Sequence, residues 1–513
     1  MKQKINKQLS DDWKILNHTE VLIIMSGLML GMLLAALDQT IVSTALPTIV
    51  GQLGGLNNLS WVVTAYLLSS TVSLPLYGKL GDLYGRKIIY QFAIITFVVG
   101  SLLCGIAQSM VQLIIFRAVQ GLGGGGLIVI AQAIIGDVVS PRERGRYQGY
   151  TGAVFALASI VGPLLGGFFI DYASWRWIFY INLPLGILAL VVISSVLKLP
   201  YQRVEHRIDY LGSFLLVLLV SCIMLVTVWA GSEFKWLSSE ILGLIALGLF
   251  SFCLFFLQEH RAHEPVVPFK LFKNDIFRIS SLASFIFGMS MFGVIIFLPL
   301  YMQVVKGASA TNSGLYLLPL MVGMVGGSIS SGLLVSKTGK YRIFPLAGAV
   351  LLSFGLFLLS QISYETSLLK VSFYILTAGL GMGLAMQVLV TSAQNAVNHS
   401  DLGVATSATN FFRSLGASIG TAFFGSILNS QLAINLERFV DPSFLQSSLG
   451  VQQILSQSPK EMESLPQEVH AGLIQAFVLS LDRVFLTAVP LALTALVVVW
   501  FLREIPLREQ VRE

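Results

Sequence analysis

Apolar residues in this chain fall in blocks of roughly 20, the length a helix needs to cross a hydrocarbon core of about 30 Å. Charged or Gly/Pro-marked breaks divide the blocks into expected membrane spans at 20–46, 59–78, 88–108, 112–136, 147–170 and 178–198, then 210–231 and 239–258. A last set follows at 279–304, 312–335, 342–363, 369–391, 403–428 and 477–502. The pattern predicts an all-α membrane protein with 14 transmembrane helices in a six, two, six arrangement. The corresponding parts are 1–200, a six-helix bundle; 201–277, two extra membrane helices and linkers; and 278–513, a second six-helix bundle. A polar stretch near 429–476, rich in Ser, Gln and acidic residues, reads as a solvated outer loop.

Composition agrees with that pattern. Of 513 residues, 55% are hydrophobic and 11% charged, too little charge to cover a soluble protein of this length. Lys and Arg fix the orientation, because they collect in cytoplasmic loops. With the N-terminus inside, 23 of them fall on the cytoplasmic side, 6 outside and 3 in or at spans. One missed span would invert every later loop, so the asymmetry also supports the count. Both termini are expected in the cytoplasm, and the first block is read as a retained span of a cell-membrane protein. The net charge of +6 follows from these loops, and no basic helix or stripe points to nucleic acid. Cys104, Cys222 and Cys253 all lie in apolar blocks and are read as core residues.

Gly78-Lys-Leu-Gly-Asp-Leu-Tyr-Gly-Arg-Lys87 follows the second span, and Gly332-Leu-Leu-Val-Ser-Lys-Thr-Gly-Lys-Tyr341 echoes it after the tenth. Each copy sits after the second span of a six-span set. Two related halves with a site between them near the midplane is a transporter architecture. In the first copy Gly78, Gly81 and Gly85 suit a tight turn, while Asp82, Arg86 and Lys87 offer charge-assisted bonds to neighbouring loops and helix ends. Such bonds are expected across the cytoplasmic face when the protein is open to the outside, and broken when it is open to the inside. In the fifth span, Ala158, Gly162 and Gly166 recur every four residues and give a flat helix face, with Pro163 bending the span. Gly121 and Gly125 do the same in the fourth.

Asp38 is the sole carboxylate well inside a first-half span, at a cost of about 2.5–3.5 kcal/mol on insertion scales, so function is its default explanation. Arg117 carries a similar cost and sits at matching depth, roughly 10–12 Å below the outer surface. Burial favours a protonated carboxyl and an approaching guanidinium favours the charged one. A change in their separation would therefore load and release a proton. The alternative for each is a structural ion pair that fastens helices. Asp137, Asp171 and Asp209 lie at span ends and are read as solvated. Aromatic, Met and amide side chains on spans are candidates for lining a substrate cavity: Trp61, Tyr66, Phe155, Asn182, Phe287, Met291, Tyr316, Gln387 and Asn410.

The stretch GKLGDLYGRK resembles the signature loop of the major facilitator superfamily. Three others narrow the resemblance to its fourteen-span drug:H⁺ antiporters. Leu37–Pro47 is similar to that family's first-span motif, with Ser43 where Asn is commoner, and Ile115–Gly124 is similar to its fourth-span motif. Val161–Gly167 resembles the fifth-span antiporter motif through Gly162, Pro163, Gly166 and Gly167; Trp175–Phe179, Asn182–Gly186 and Asn410–Gly420 also fit. Ser336 stands in the echo where Asp82 stands in the first copy, so the charged loop is not duplicated. The resemblance implies proton-coupled efflux of small lipophilic or cationic compounds by alternating access. It implies a monomer in a lipid bilayer whose partners are substrate and protons.

Other classes fit poorly. No HExxH, P-loop or GxSxG motif is present, and no metal or cofactor is expected. Gly121-x-Gly123-x-x-Gly126 matches a dinucleotide fingerprint in letters, but no strand precedes it and it lies inside a span. Without a nucleotide site the energy must come from an ion gradient. A channel needs neither a paired acid and base within its spans nor two six-helix halves. The open alternative is an exporter of one endogenous metabolite, lipid or siderophore.

Overall fold

The structure, a computed structural model, describes residues 18–53, 59–197, 209–230, 234–262, 264–308, 314–440 and 467–507. The first half comprises α1 (His18–Leu53), α2 (Leu59–Tyr84), α3 (Arg86–Ile106), α4 (Met110–Val138), α5 (Pro141–Tyr172), the short α6 (Trp177–Tyr180) and α7 (Asn182–Val196). A pair follows, α8 (Tyr210–Trp229) and α9 (Ser239–Arg261). The second half holds α10 (Asp275–Val304), α11 (Leu318–Thr338), α12 (Ile343–Leu359), α13 (Leu368–Asn395), α14 (Leu402–Phe439) and α15 (Gln467–Trp500). Helices close their own backbone hydrogen bonds, which is what lets a chain cross lipid.

Among the described residues 12 helices are long and apolar enough to span a membrane, with α6 and α7 counted as one crossing. The two other expected spans coincide with α2 and α12. Helix α2 is hydroxyl-rich, and several of those groups turn back on their own helix, as Ser69 to the Ala65 carbonyl and Ser73 to that of Ser70. Helix α12 has 17 residues, about 25 Å of rise.

Each half has its own core. One buried cluster draws only on residues from Val21 to Leu197, another only on residues from Ile276 onward. Tight helix approach explains the glycine spacing. A Cβ on Gly162 or Gly166 would run into the Thr40 or Thr44 hydroxyl, and Thr40 Oγ1 donates to the Ala158 carbonyl at 2.9 Å. Gly121 and Gly125 meet the α2 backbone in the same way, at the carbonyls of Tyr66 and Ser70. Gly167 faces open space, so packing does not account for it. Pro163 lies inside α5, as expected.

The pair α8–α9 packs together and leans on α2 and α14, one helix from each half. Its outer surface is exposed and apolar, with Phe214, Phe250 and Leu257 among the side chains facing out. Between the pair and α2/α14 lies a cavity of about 690 Å³, lined by Pro75, Leu216, Phe255, Phe411 and other apolar groups.

Three expectations change. Helix α14 continues to Phe439, well beyond 428, and α15 begins at Gln467, so much of the expected outer loop is helical and 441–466 lies outside the described residues. The cause is a stripe of Leu428, Leu432 and Leu436 that buries against α15, helped by Asn435 Nδ2 donating to Ser480 Oγ at 2.9 Å. Cys104 and Cys222 are buried, but Cys253 is exposed on α9, whose outer face has no neighbour to cover it. Asp137 and Asp209 are buried rather than solvated, because Arg86 reaches the first, while the second caps α8 at the Gly212 amide and accepts from Gln258 Nε2.

Replacing Gly166 by Leu should wedge α1 from α5. Overpacking of this kind costs about 1–3 kcal/mol or more. A lowered melting temperature of the purified variant in detergent, relative to Gly167→Leu, is the expected result; equal melting of the two would contradict the packing.

Candidate functional site

Asp38 on α1 is wholly buried, and Arg117 on α4 is 1% exposed. Arg117 Nη1 donates to Asp38 Oδ2 at 2.5 Å and also to Gln120 Oε1 at 2.7 Å. Gln120 Nε2 donates to Asp38 Oδ1 at 2.8 Å, and Asn182 Nδ2 to the same oxygen at 3.3 Å. Ser101 Oγ accepts from Asn182 at 2.9 Å and from Gln120 at 3.1 Å, then donates to the Phe179 carbonyl at 2.8 Å. Arg117 Nε donates to the Val62 carbonyl, and its Cζ lies 4.2 Å from the Tyr66 ring centroid. Four helices and the α6 turn thus converge on one carboxylate. A buried ion pair is stable only when its remaining donors and acceptors are met in this way. The arrangement can exchange an ion pair for a protonated acid, with the amides left to hold either form.

A second charged cluster closes one face of the molecule. Gly85 has φ 89, a left-handed backbone that favours glycine, and it separates α2 from α3. Arg86 then turns inward, pairs with Asp82 at 2.8 Å and with Asp137, and donates to the Ala133 carbonyl at 2.8 Å. Asp82 reaches across to the other half and accepts from the Gly403 and Val404 amides, at 3.0 and 2.9 Å, at the start of α14. A carboxylate there meets both unsatisfied N–H groups and the positive end of the helix dipole. A Cβ on Gly78 would strike Ser407 and the Gly403 carbonyl, so this glycine sets the approach of α2 to α14. Lys87 stays within its half, donating to the Ser194 carbonyl at 2.9 Å. Just before α14, Asp401 has its carboxyl pushed upward by burial, against the opposing pull of Lys79 and Lys270.

The echo of the charged loop meets the first half differently. Arg142 donates to the Ser336 carbonyl at 3.2 Å, and Gly145 packs on Gly332. Gly339 takes φ 71 and ends α11, the turn that its alignment with Gly85 leads one to expect.

Comparison with known proteins decides the identity of this scaffold. The sequence profile described as Major Facilitator Superfamily matches residues 28–421. The chain belongs to that superfamily. It is therefore a membrane transporter of small molecules and not an enzyme. It is 41% identical over 410 residues to the Multidrug transporter protein MdtP of Bacillus subtilis, covering 80% of this chain and 75% of that one. It is 36% identical over 481 residues to Multidrug resistance protein 3 of the same organism, covering 92% and 94%. The solved proton:xylose symporter XylE superposes with a TM-score of 0.63 at 14% identity, over 97% of this chain and 99% of that one, which speaks for the fold alone.

The structure scatters the nine candidate cavity residues. Asn182 and Tyr66 join the Asp38 cluster, buried at 0% and 1% exposure. Asn410 donates to Gln132 Oε1 at 2.7 Å across the two halves. Gln387 is buried on α13, with its Oε1 lacking a partner. Phe287 is wholly buried in the second core, and Met291 and Tyr316 pack against that core half-buried. Phe155 packs beside Ala36, Leu37 and Ala158, and Trp61 stacks edge-on against Trp229 at 5.4 Å. None of the nine lines the apolar cavity beside α8–α9. Sequence reasoning missed Gln120 and Ser101, and it missed a set of cross-half amides: Gln148 Nε2 donates to Gln394 Oε1 at 3.0 Å, and Gln394 Nε2 to the Gln132 carbonyl at 3.3 Å. The Gln120 signal was available, as it lies one turn from Arg117 on the same helix face.

Asp38→Ala should leave Arg117 buried without its anion and destabilise the fold by about 3–5 kcal/mol. Adding Arg117→Ala should recover part of that loss. A double-mutant cycle on thermal unfolding in detergent measures it, and strict additivity would show that the two groups do not depend on each other.

Proposed function

We propose that the chain is a proton-coupled exporter of small lipophilic or cationic compounds, working by alternating access in the cell membrane. In this reading it crosses fourteen times as a monomer, with the Asp82 face and both termini on the cytoplasmic side. Asp38 is the proton carrier and Arg117 its counter-ion. The observation that carries the reading is the enclosed Asp38–Arg117 pair, a charged couple placed where a bilayer penalises charge. Efflux, rather than uptake, is favoured by the relatives described as multidrug proteins.

The described cross-half hydrogen bonds join Asp82, Gln132, Arg142 and Gln148 to α11, α13 and α14. All lie toward the Asp82 face, so the protein is closed inside and opens outward. In this state Asp38 lies against the Arg117 guanidinium. Separation of the halves at Asp82 lets α2 and α4 shift, and any lengthening of the Arg117 contact favours protonation of Asp38. A lipophilic cation competes for the same carboxylate, which couples its passage to the proton's. A membrane potential of 100 mV contributes about 2.3 kcal/mol per charge moved, enough for uphill export.

In proteoliposomes, an imposed pH gradient should drive a lipophilic cation such as ethidium against its own gradient. Asp38→Asn should remove that uphill movement while leaving downhill exchange. A variant that still accumulates substrate with an unchanged response to pH would end the assignment of Asp38.

Asp82→Ala deletes two charge-assisted bonds to α14, each worth about 1.5–3 kcal/mol. The closed inner face should open more often. Alkylation of a cysteine placed at Ser328, in the α5–α11 seam, should quicken several-fold; no change would remove Asp82 from the switch.

A further inference from the structure

A cation deep in a span of the second half has no carboxylate beside it among the described residues. Arg413 lies eleven residues into α14, about 16 Å from its start, which puts it near mid-membrane. Arg117 and Arg86 both have buried carboxylates beside them. Arg413 has no ion pair among the described residues, and its single described side-chain partner is a neutral amide, Asn410 Oδ1, at 2.6 Å. It is half-buried rather than sealed, and none of its nitrogens is a buried orphan, so its remaining N–H groups reach open space.

The direction of that space follows from its neighbours. Phe411, Phe412 and Leu415 line the apolar cavity toward α8–α9, and Arg413 does not. Asn410, one turn below it on the same face, bonds Gln132 of the first half. Arg413 therefore looks into the seam between the halves. It sits one turn outward of the amides that close the seam, where an outward-facing protein holds its vestibule. On α13, Thr391 Oγ1 donates to the Gln387 carbonyl and to Gln148 Oε1 at 3.5 Å, so Gln387 stacks one turn outward of the same closure. The side chain is 8% exposed, and its Oε1 is buried without a hydrogen-bond partner.

We propose that Arg413 docks a carboxylate on the transported compound, with the free Gln387 oxygen accepting an N–H from the same molecule. A guanidinium presents parallel donors that match a carboxylate, and an unpaired one at this depth gains most from an incoming anion. The pump then takes zwitterionic aromatic amphiphiles in addition to simple cations: the amine side answers to Asp38 and the acid side to Arg413. This rests on the export reading above but does not share its test.

The test uses the full chain in nanodiscs and three fluorescent probes: norfloxacin, which carries a carboxylate, its methyl ester, and ethidium. Wild type should bind the acid at least tenfold more tightly than the ester. Arg413→Gln should lose that preference, weakening the acid at least tenfold and moving the ester and ethidium less than twofold. Arg413→Lys should restore part of it. Equal affinity of wild type for acid and ester overturns the proposal, and so does an Arg413→Gln protein weakened equally for all three probes. Ethidium extrusion by wild-type proteoliposomes judges the export reading separately. A pump that extrudes ethidium but shows no acid preference keeps that reading and loses this one. One that extrudes nothing yet shows the Arg413-dependent preference does the reverse.

Discussion

A charge inside a bilayer is costly unless it finds an opposite charge or water, and the Asp38–Arg117 contact is where two such charges meet that demand in each other. The pairing holds α1 to α4 at one depth. To satisfy what the pair leaves over, Ser101, Gln120 and Asn182 must come from α3, α4 and α7, and the Phe179 carbonyl from the short α6. The convergence of five elements on one carboxylate explains why the glycines of α4 face α2 on one side and α3 on the other. Gly123 abuts Ala93 and Phe97 while Gly121 abuts Tyr66. Helices cannot be brought this close around a polar centre with larger residues between them.

Among the described residues the second half has no such ion-paired centre, and the two halves meet asymmetrically. On one side of the seam a carboxylate, Asp82, caps the first turn of α14; on the other, backbone packs on backbone at Gly145 and Gly332. Between them the amides of Gln132, Gln148, Gln394 and Asn410 form a closure with no net charge. Neutral amides cost less to separate and re-form than ion pairs do, because neither side must be rehydrated as an ion. The ion pair that stays together in this state is the one inside a single half, while the bonds that cross between halves are mostly neutral.

Much of this was legible in the sequence, and the boundary has physical causes. Apolar runs give spans directly, since every lipid-facing residue must be apolar whatever its partner. Asp38 and Arg117 were legible because charge in such a run is expensive, and Gly162 and Gly166 because spacing by four repeats on a helix face. Asp137 was not: one residue from a helix end, an acid reads as solvated until a distant Arg86 is seen to fold over it. The amide closure was invisible, since glutamine within a span shows no preferred partner and each bond joins residues more than 240 positions apart. Tyr66 read as a cavity wall and is instead a platform under Arg117. Helix α14 outran its apolar block because three leucines spaced by four found α15, a pairing that hydropathy alone does not register.

The placement of α8 and α9 has a mechanical consequence. The pair touches α2 and α14 together, the two helices that must part if the Asp82 contact is to break. An insert bonded tightly to both would act as a clamp and freeze the seam. The hollow of about 690 Å³ behind it, lined almost wholly by hydrocarbon, makes the contact compliant instead. Apolar side chains around such a hollow can slide past one another without breaking a directional bond, so the insert would resist a parting of α2 and α14 less than a bonded clamp would.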